Sequence, residues 1–262
     1  MNLSFALFEI LAGIFIRSTA ILSDAVHDFS DALSLGLAFF LEKKSMKSDD
    51  GKYAFGYKRL SVISAIISTG VLAAGTAAVL YNAVGKLFAP NEVRAAGMVY
   101  MAFFGIAANL IPVLRMRKSV KISEKAVMLH LLEDLYGWIA VLAVGVLIKF
   151  TGWYVLDPVL TLFISAIILI SVIKNTVSIY KLIMDAAPDG VDADEIRRSI
   201  DSLGGIKVRE LRIWSIDGEN HAASCVLDAD KALSRAQIKD ATGRVKALLA
   251  ENGAHSSFVE VV

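Results

Sequence analysis

Two of the four histidines open the same short pattern, H-x-x-x-D: His27 with Asp31, and His130 with Asp134. Residues four apart in an α-helix lie one turn apart on one face. Each pattern therefore sets an imidazole and a carboxylate along a single helix edge. Two such edges facing each other supply two nitrogens and two carboxylates, a set that suits tetrahedral Zn2+. The plainer alternative is a structural His–Asp hydrogen bond within each helix. Both patterns lie in apolar runs, where an ionisable side chain costs at least a few kcal/mol and marks a candidate functional site. Three further acids accompany them. Asp24 either marks the outer interface or lines a path to the site. Asp28 cannot share a face with His27 and is expected to pair with a basic or polar group elsewhere. Glu133, three residues after His130, either adds a carboxylate to the site or pairs outside it.

The elements that must carry these groups are membrane spans. The chain has 262 residues, 56% apolar and 20% charged, with a single cysteine and a net charge of +1. Its mean hydropathy is +0.59, and stretches nearly free of charge alternate with short charged clusters. That pattern favours a membrane protein and excludes disorder, collagen and a disulfide scaffold. Cys225 has no internal partner, and a net charge so near zero makes nucleic acid an unexpected ligand. Six spans are predicted: Asn2–Ile16, Ala20–Leu41, Leu60–Val84, Ala96–Leu114, Ala126–Phe150 and Pro158–Ile179. The first is short by about five residues against the usual twenty, so the start of helix one is expected to be missing. A signal peptide would need a basic flank, and Met1–Ala6 has none.

Depth is consistent between the two patterns. At about 1.5 Å per residue, Asp31 lies roughly 16 Å into helix two from its outer end, and Asp134 a similar distance, roughly 16 Å, from the inner start of helix five near Ser123. Both carboxylates fall near the midplane. His27 sits one turn outward and His130 one turn inward, a stagger of about two turns that side-chain reach must close. Lys43, Lys44, Lys47, Lys52, Lys58 and Arg59 precede helix three, and Arg115, Arg117, Lys118, Lys121 and Lys125 precede helix five. Positive loops face the cytoplasm, so both termini are expected inside. Asp157-Pro158 reads as the capped start of helix six, and Pro112 should kink helix four.

Pro188-Asp189-Gly190 is a turn that ends the membrane region, dividing a transport-type domain, 1–187, from a C-terminal domain, 188–262. In the latter, Ala193–Leu203 and Ser234–Leu249 have helical patterning, while Val208–Ile216, Ala222–Asp228 and Ser257–Val262 alternate as strands. The αββαβ order in about 75 residues predicts a small ferredoxin-like α+β sandwich whose sheet can pair with a second copy.

At these residues the chain resembles the cation diffusion facilitator family. Ser23-Asp24-Ala25-Val26-His27-Asp28-Phe29-Ser30-Asp31 is similar to its helix-two motif, and His130-Leu131-Leu132-Glu133-Asp134 to its helix-five partner. Phe55-Gly56-Tyr57-Lys58-Arg59-Leu60 resembles the turn before helix three. Thr151-Gly152-Trp153 with Asp157-Pro158 resembles the join to helix six, and Trp214-Ser215 with His221-Ala222 a run in the cytoplasmic domain. The resemblance implies a six-helix homodimer in the bacterial inner membrane, with a metallochaperone-like cytoplasmic domain forming the dimer. It further implies export of divalent cations in exchange for protons, with Zn2+ first and Cd2+ or Co2+ as further cargo, and no prosthetic group. Carried over residue by residue, His27, Asp31, His130 and Asp134 are the transport ligands.

There are departures. Glu133 stands where many relatives have glycine, Lys58 and Ser61 replace residues commonly Gly and Glu, and the loop Glu42–Arg59 has no histidine. His221 and His255 resemble regulatory ligands, and with Cys225 they would suit a soft divalent metal. Two other function classes are an intramembrane zinc hydrolase and a metal sensor that does not transport. The first is opposed by the lack of H-E-x-x-H and by a ligand set that leaves no open position for water.

Overall fold

The computed structural model describes residues 2–45, 53–116 and 122–262. Six helices come first: α1 Asn2–Ile16, α2 Thr19–Ser45, α3 Leu60–Phe88, α4 Ala95–Met116, α5 Ile122–Thr151 and α6 Leu156–Ile183. They are followed by α7 Ala193–Asp201, β1 Ile206–Ser215, β2 His221–Ala229, α8 Arg235–Glu251 and β3 Ser256–Val261. The basic residues Lys47, Lys52, Arg117, Lys118 and Lys121 lie outside the described residues.

Among the described residues, four helices are long and apolar enough to cross a membrane: Leu60–Phe88, Ala95–Arg115, Met128–Thr151 and Leu156–Ile183. The expectation of six differs from this at its first two members, for two physical reasons. The apolar stretch of α1, Leu3–Ile16, falls below the roughly twenty residues that match a bilayer. α2 has ample length at 27 residues, but Asp24, His27, Asp28 and Asp31 occupy its first half.

The chain forms two compact units, one of Met1–Leu37 with Ile67–Asn175 and the other of Ala38–Ile66 with Thr176–Val262. In the first, α4 lies close against α5. Trp138 of α5 is fully buried and sits directly on Gly105 of α4, where an added Cβ would stand 2.2 Å from the indole. The core here gathers Ile16, Ile21, Met98, Ala102, Trp138 and Val141.

The start of α2 is held by a carboxylate from another helix. Asp157 was expected to cap its own helix, but α6 already begins at Leu156. Its side chain, wholly buried, instead accepts hydrogen bonds from Ser18 Oγ at 2.5 Å, Thr19 N at 2.7 Å, Thr19 Oγ1 at 2.8 Å and Ala20 N at 3.3 Å. Ser18 Oγ accepts from Ile21 N at 3.2 Å. The free N–H groups that begin every helix are here satisfied jointly by Ser18 and a distant acid.

In the second unit, β1 and β2 pair antiparallel with a bulge between Val208 and Glu210. β2 and β3 pair parallel, which requires the α8 crossover, and the sheet order is β1-β2-β3. Asp192 caps α7, and Ser234 with Gln237 forms a reciprocal capping box on α8. Ile196, Ile200, Ile213, Cys225, Leu227 and Val245 are among the core residues. The turn before α3 packs within this unit. Lys58 Nζ donates to Asn220 Oδ1 at 2.9 Å, Arg59 pairs with Asp185, and Phe55 meets Trp214 edge-on with centroids 6.2 Å apart.

Two outcomes follow from this packing. Gly105→Val overfills the space against Trp138 and should destabilise the helical unit by about 1–3 kcal/mol, read as a lower melting temperature in detergent. Burial pushes the Cys225 thiol up to about 11, against the opposing pull of Arg197. It should therefore resist maleimide at pH 8 in the folded protein and react fully in denaturant.

Candidate metal centre

The two H-x-x-x-D edges meet. His130 Nε2 lies 3.0 Å from Asp31 Oδ2, across from α5 to α2. Within the helices, His27 Nε2 is 3.6 Å from Asp31 Oδ2, and His130 Nε2 is 3.7 Å from Asp134 Oδ2. Ligand atoms of His27, Asp31 and His130 all lie within 4.8 Å of one another. The two imidazoles stand edge to face with centroids 5.7 Å apart. Four ligands about 2.0–2.1 Å from a zinc ion lie roughly 3.3 Å from each other, so these three contacts straddle the edge length of such a tetrahedron. The expected stagger is closed by His130, whose Nε2 lies near both carboxylates, that of Asp31 and that of Asp134.

Asp31 Oδ2 is the hub, because it neighbours imidazole nitrogens from both helices. Asp134 is less exposed, with 11% of its side chain open against 33% for Asp31. Two cavities flank the group. One, of about 210 Å³, is lined by Asp24, His27, Glu133 and Asp134 and walled by α6 side chains such as Phe163 and Ile167. The other, of about 290 Å³, is lined by Asp28, Asp31, His130 and Asp134 with Asn109 and Pro112 of α4. Asp134 borders both, while His27 opens on the first and Asp31 and His130 on the second.

The accompanying acids take different places. Asp24 is buried and lines the first cavity, with Oδ2 lacking a hydrogen-bond partner. Glu133 is exposed on the wall of that cavity and outside the three-ligand group. Asp28 was expected beside a basic or polar group elsewhere, and the polar group it meets is the Glu9 carboxyl of α1. Glu9 is wholly buried with both oxygens unpartnered. Sequence reasoning did not single it out, although it is the one ionisable residue in the apolar run Asn2–Ile16.

The tail candidates are not gathered into a ligand group among the described residues. His221 and Cys225 both belong to β2, and four residues of strand span about 13 Å. Cys225 lies in the domain core, His221 Nδ1 is 3.2 Å from Ser215 Oγ, and His255 is exposed.

The shared position of Asp31 makes an ordered prediction. Asp31→Ala removes the oxygen between the two imidazoles and should weaken Zn2+ or Cd2+ binding more than His27→Ala does, while Glu133→Gln should leave affinity within about twofold. Titration calorimetry on the purified protein in detergent checks this order.

The cation efflux transmembrane domain family matches residues 1–184. The chain is 26% identical over 258 residues to a cadmium, cobalt and zinc/H(+)-K(+) antiporter of Bacillus subtilis, covering 97% of this chain and 83% of that one. It is 28% identical over 216 residues to the metal cation efflux system protein CzcD of Cupriavidus metallidurans, covering 81% and 68%. It is 27% identical over 243 residues to the zinc transporter ZitB of Yersinia pestis, covering 89% and 78%. These relatives are transporters, not enzymes, and four apolar helices suit the same setting. This chain is an integral membrane protein of the cation efflux family.

Proposed function

We propose that the protein exports divalent cations, Zn2+ foremost, from the cytoplasm in exchange for protons, binding each ion at His27, Asp31, His130 and Asp134. The observation that carries this reading is the 3.0 Å approach of His130 Nε2 to Asp31 Oδ2, which joins the two motif edges into one ligand set. Two carboxylates balance the charge of a divalent ion, and two imidazoles add the softer nitrogens that suit zinc, cadmium and cobalt. Binding requires neutral imidazole and ionised carboxylate, so metal and protons compete for the same atoms. Imidazole is the side chain whose charge changes most readily near neutrality, so protons arriving from outside displace the ion and return inward on the empty site.

The paired cavities support an alternating route, since Asp134 borders both and each of the other ligands faces one of them. In this reading α1 to α6 all span the bacterial inner membrane with both termini cytoplasmic, residues 188–262 form a metallochaperone-like domain, and two copies associate through it. Zinc hydrolysis is the weaker reading, because four protein ligands leave the ion no position for an activated water. A purely sensory role is weaker too, since the ligand group lies among the helices rather than in the tail.

Proteoliposomes with a pH-sensitive dye inside test the exchange. The unaltered protein should show proton movement driven by a zinc gradient, and Asp31→Ala or Asp134→Ala should abolish it. Undiminished flux in either variant counts decisively against this function.

A further inference from the structure

A transport site shared by two helices needs more than the right ligands, because it needs α2 held at one height and one rotation against α5. Each residue of slip along an α-helix moves a side chain about 1.5 Å and turns it about 100°. Either change would part Asp31 from His130. The restraint on α2 is concentrated at its first turn. Asp157 of α6 accepts four hydrogen bonds there, two from backbone N–H groups and two from hydroxyls. An acidic side chain at a helix N-terminus is also favoured by the helix dipole, which helps explain how a fully buried acid is tolerated.

Further contacts continue the link. Thr161 Oγ1 lies 2.8 Å from both Thr19 Oγ1 and the Asp157 carbonyl oxygen. One turn on, Ser23 Oγ and Ser165 Oγ are 3.1 Å apart. Past that pair the polar seam gives way to the cavity on which Asp24 and His27 open. The turn before α2 is tied from elsewhere as well, by Lys86 Nζ of α3 to Arg17 O at 2.9 Å and by Arg94 N, just ahead of α4, to Ile16 O at 3.0 Å. Neither of those ties holds the first N–H groups of α2 itself.

We propose that Asp157 is a positioning residue for the transport site: by capping α2 from α6 it sets the register at which His27 and Asp31 meet His130. The proposal rests on the ligand set proposed above. Asp157 touches no ion. Its removal strands four donors in a buried place, and α2 must shift or rotate to find other acceptors.

The test compares Cd2+ affinity per folded molecule, by calorimetry on monodisperse protein, with the visible absorption of bound Co2+, which is intense only in a tetrahedral field. Asp157→Ala should weaken Cd2+ binding about tenfold or more, the scale on which small misplacements are felt, and should bleach the Co2+ band. Asp157→Asn keeps one acceptor oxygen and should fall between. Ser18→Ala and Thr19→Val each remove one hydroxyl donor and should shift affinity in the same direction by less. If Asp157→Ala does not fold, these two milder variants decide the matter. A merely structural role would lower the yield of folded protein while leaving affinity and the Co2+ spectrum of that fraction unchanged, and this result overturns the proposal. Asp31→Ala, measured alongside, separates the two ideas. Full binding in that variant would mean that the ligand set is wrong, whereas lost binding there with unchanged affinity in the Asp157, Ser18 and Thr19 variants would refute the positioning role alone.

Discussion

One carboxylate oxygen organises the helical unit. Asp31 Oδ2 lies within 3.0 Å of His130 Nε2 and 3.6 Å of His27 Nε2, so two helices far apart in sequence converge on a single atom. Charged or polar atoms in an apolar bundle are costly unless paired, and this arrangement supplies the pairing while leaving the ring and carboxylate atoms open to a cavity. The same feature explains why neither helix could be uniformly apolar. α2 carries four ionisable residues in its first half, and its register must be set by something other than greasy packing.

Register is supplied from outside the site. Asp157 satisfies the first backbone donors of α2 from α6, and Trp138 of α5 closes on Gly105 of α4, where a side chain would find no room. One contact is polar and the other is steric, but both turn a flexible pairing of rods into a defined one. The buried carboxyls of Glu9 and Asp24, each with oxygens lacking partners, show that the polar interior extends beyond the four motif residues toward α1.

Several features could be read from local pattern. The four-residue spacing placed each imidazole beside its own carboxylate, hydropathy marked the long apolar helices, and alternation marked the three strands near their observed limits. Other features could not. Asp157 looked like a cap for its own helix because capping rules are local, whereas the helix end it serves lies 138 residues away. Glu9 was passed over because it is a lone charge without a spaced partner. Lys58 and Phe55 carry no clue to Asn220 or Trp214. The tail trio of His221, Cys225 and His255 was grouped by chemistry, yet a strand spreads residues that a helix would stack.

What the amino-acid order determined by itself was which side chains share a helix face and which segments prefer lipid to water, because period and hydropathy depend only on near neighbours. Which faces meet, which carboxylate serves which helix end, and where His130 closes the stagger toward Asp31 were decided by tertiary structure. Those outcomes depend on how elements more than a hundred residues apart fill space against one another, and no local rule encodes that.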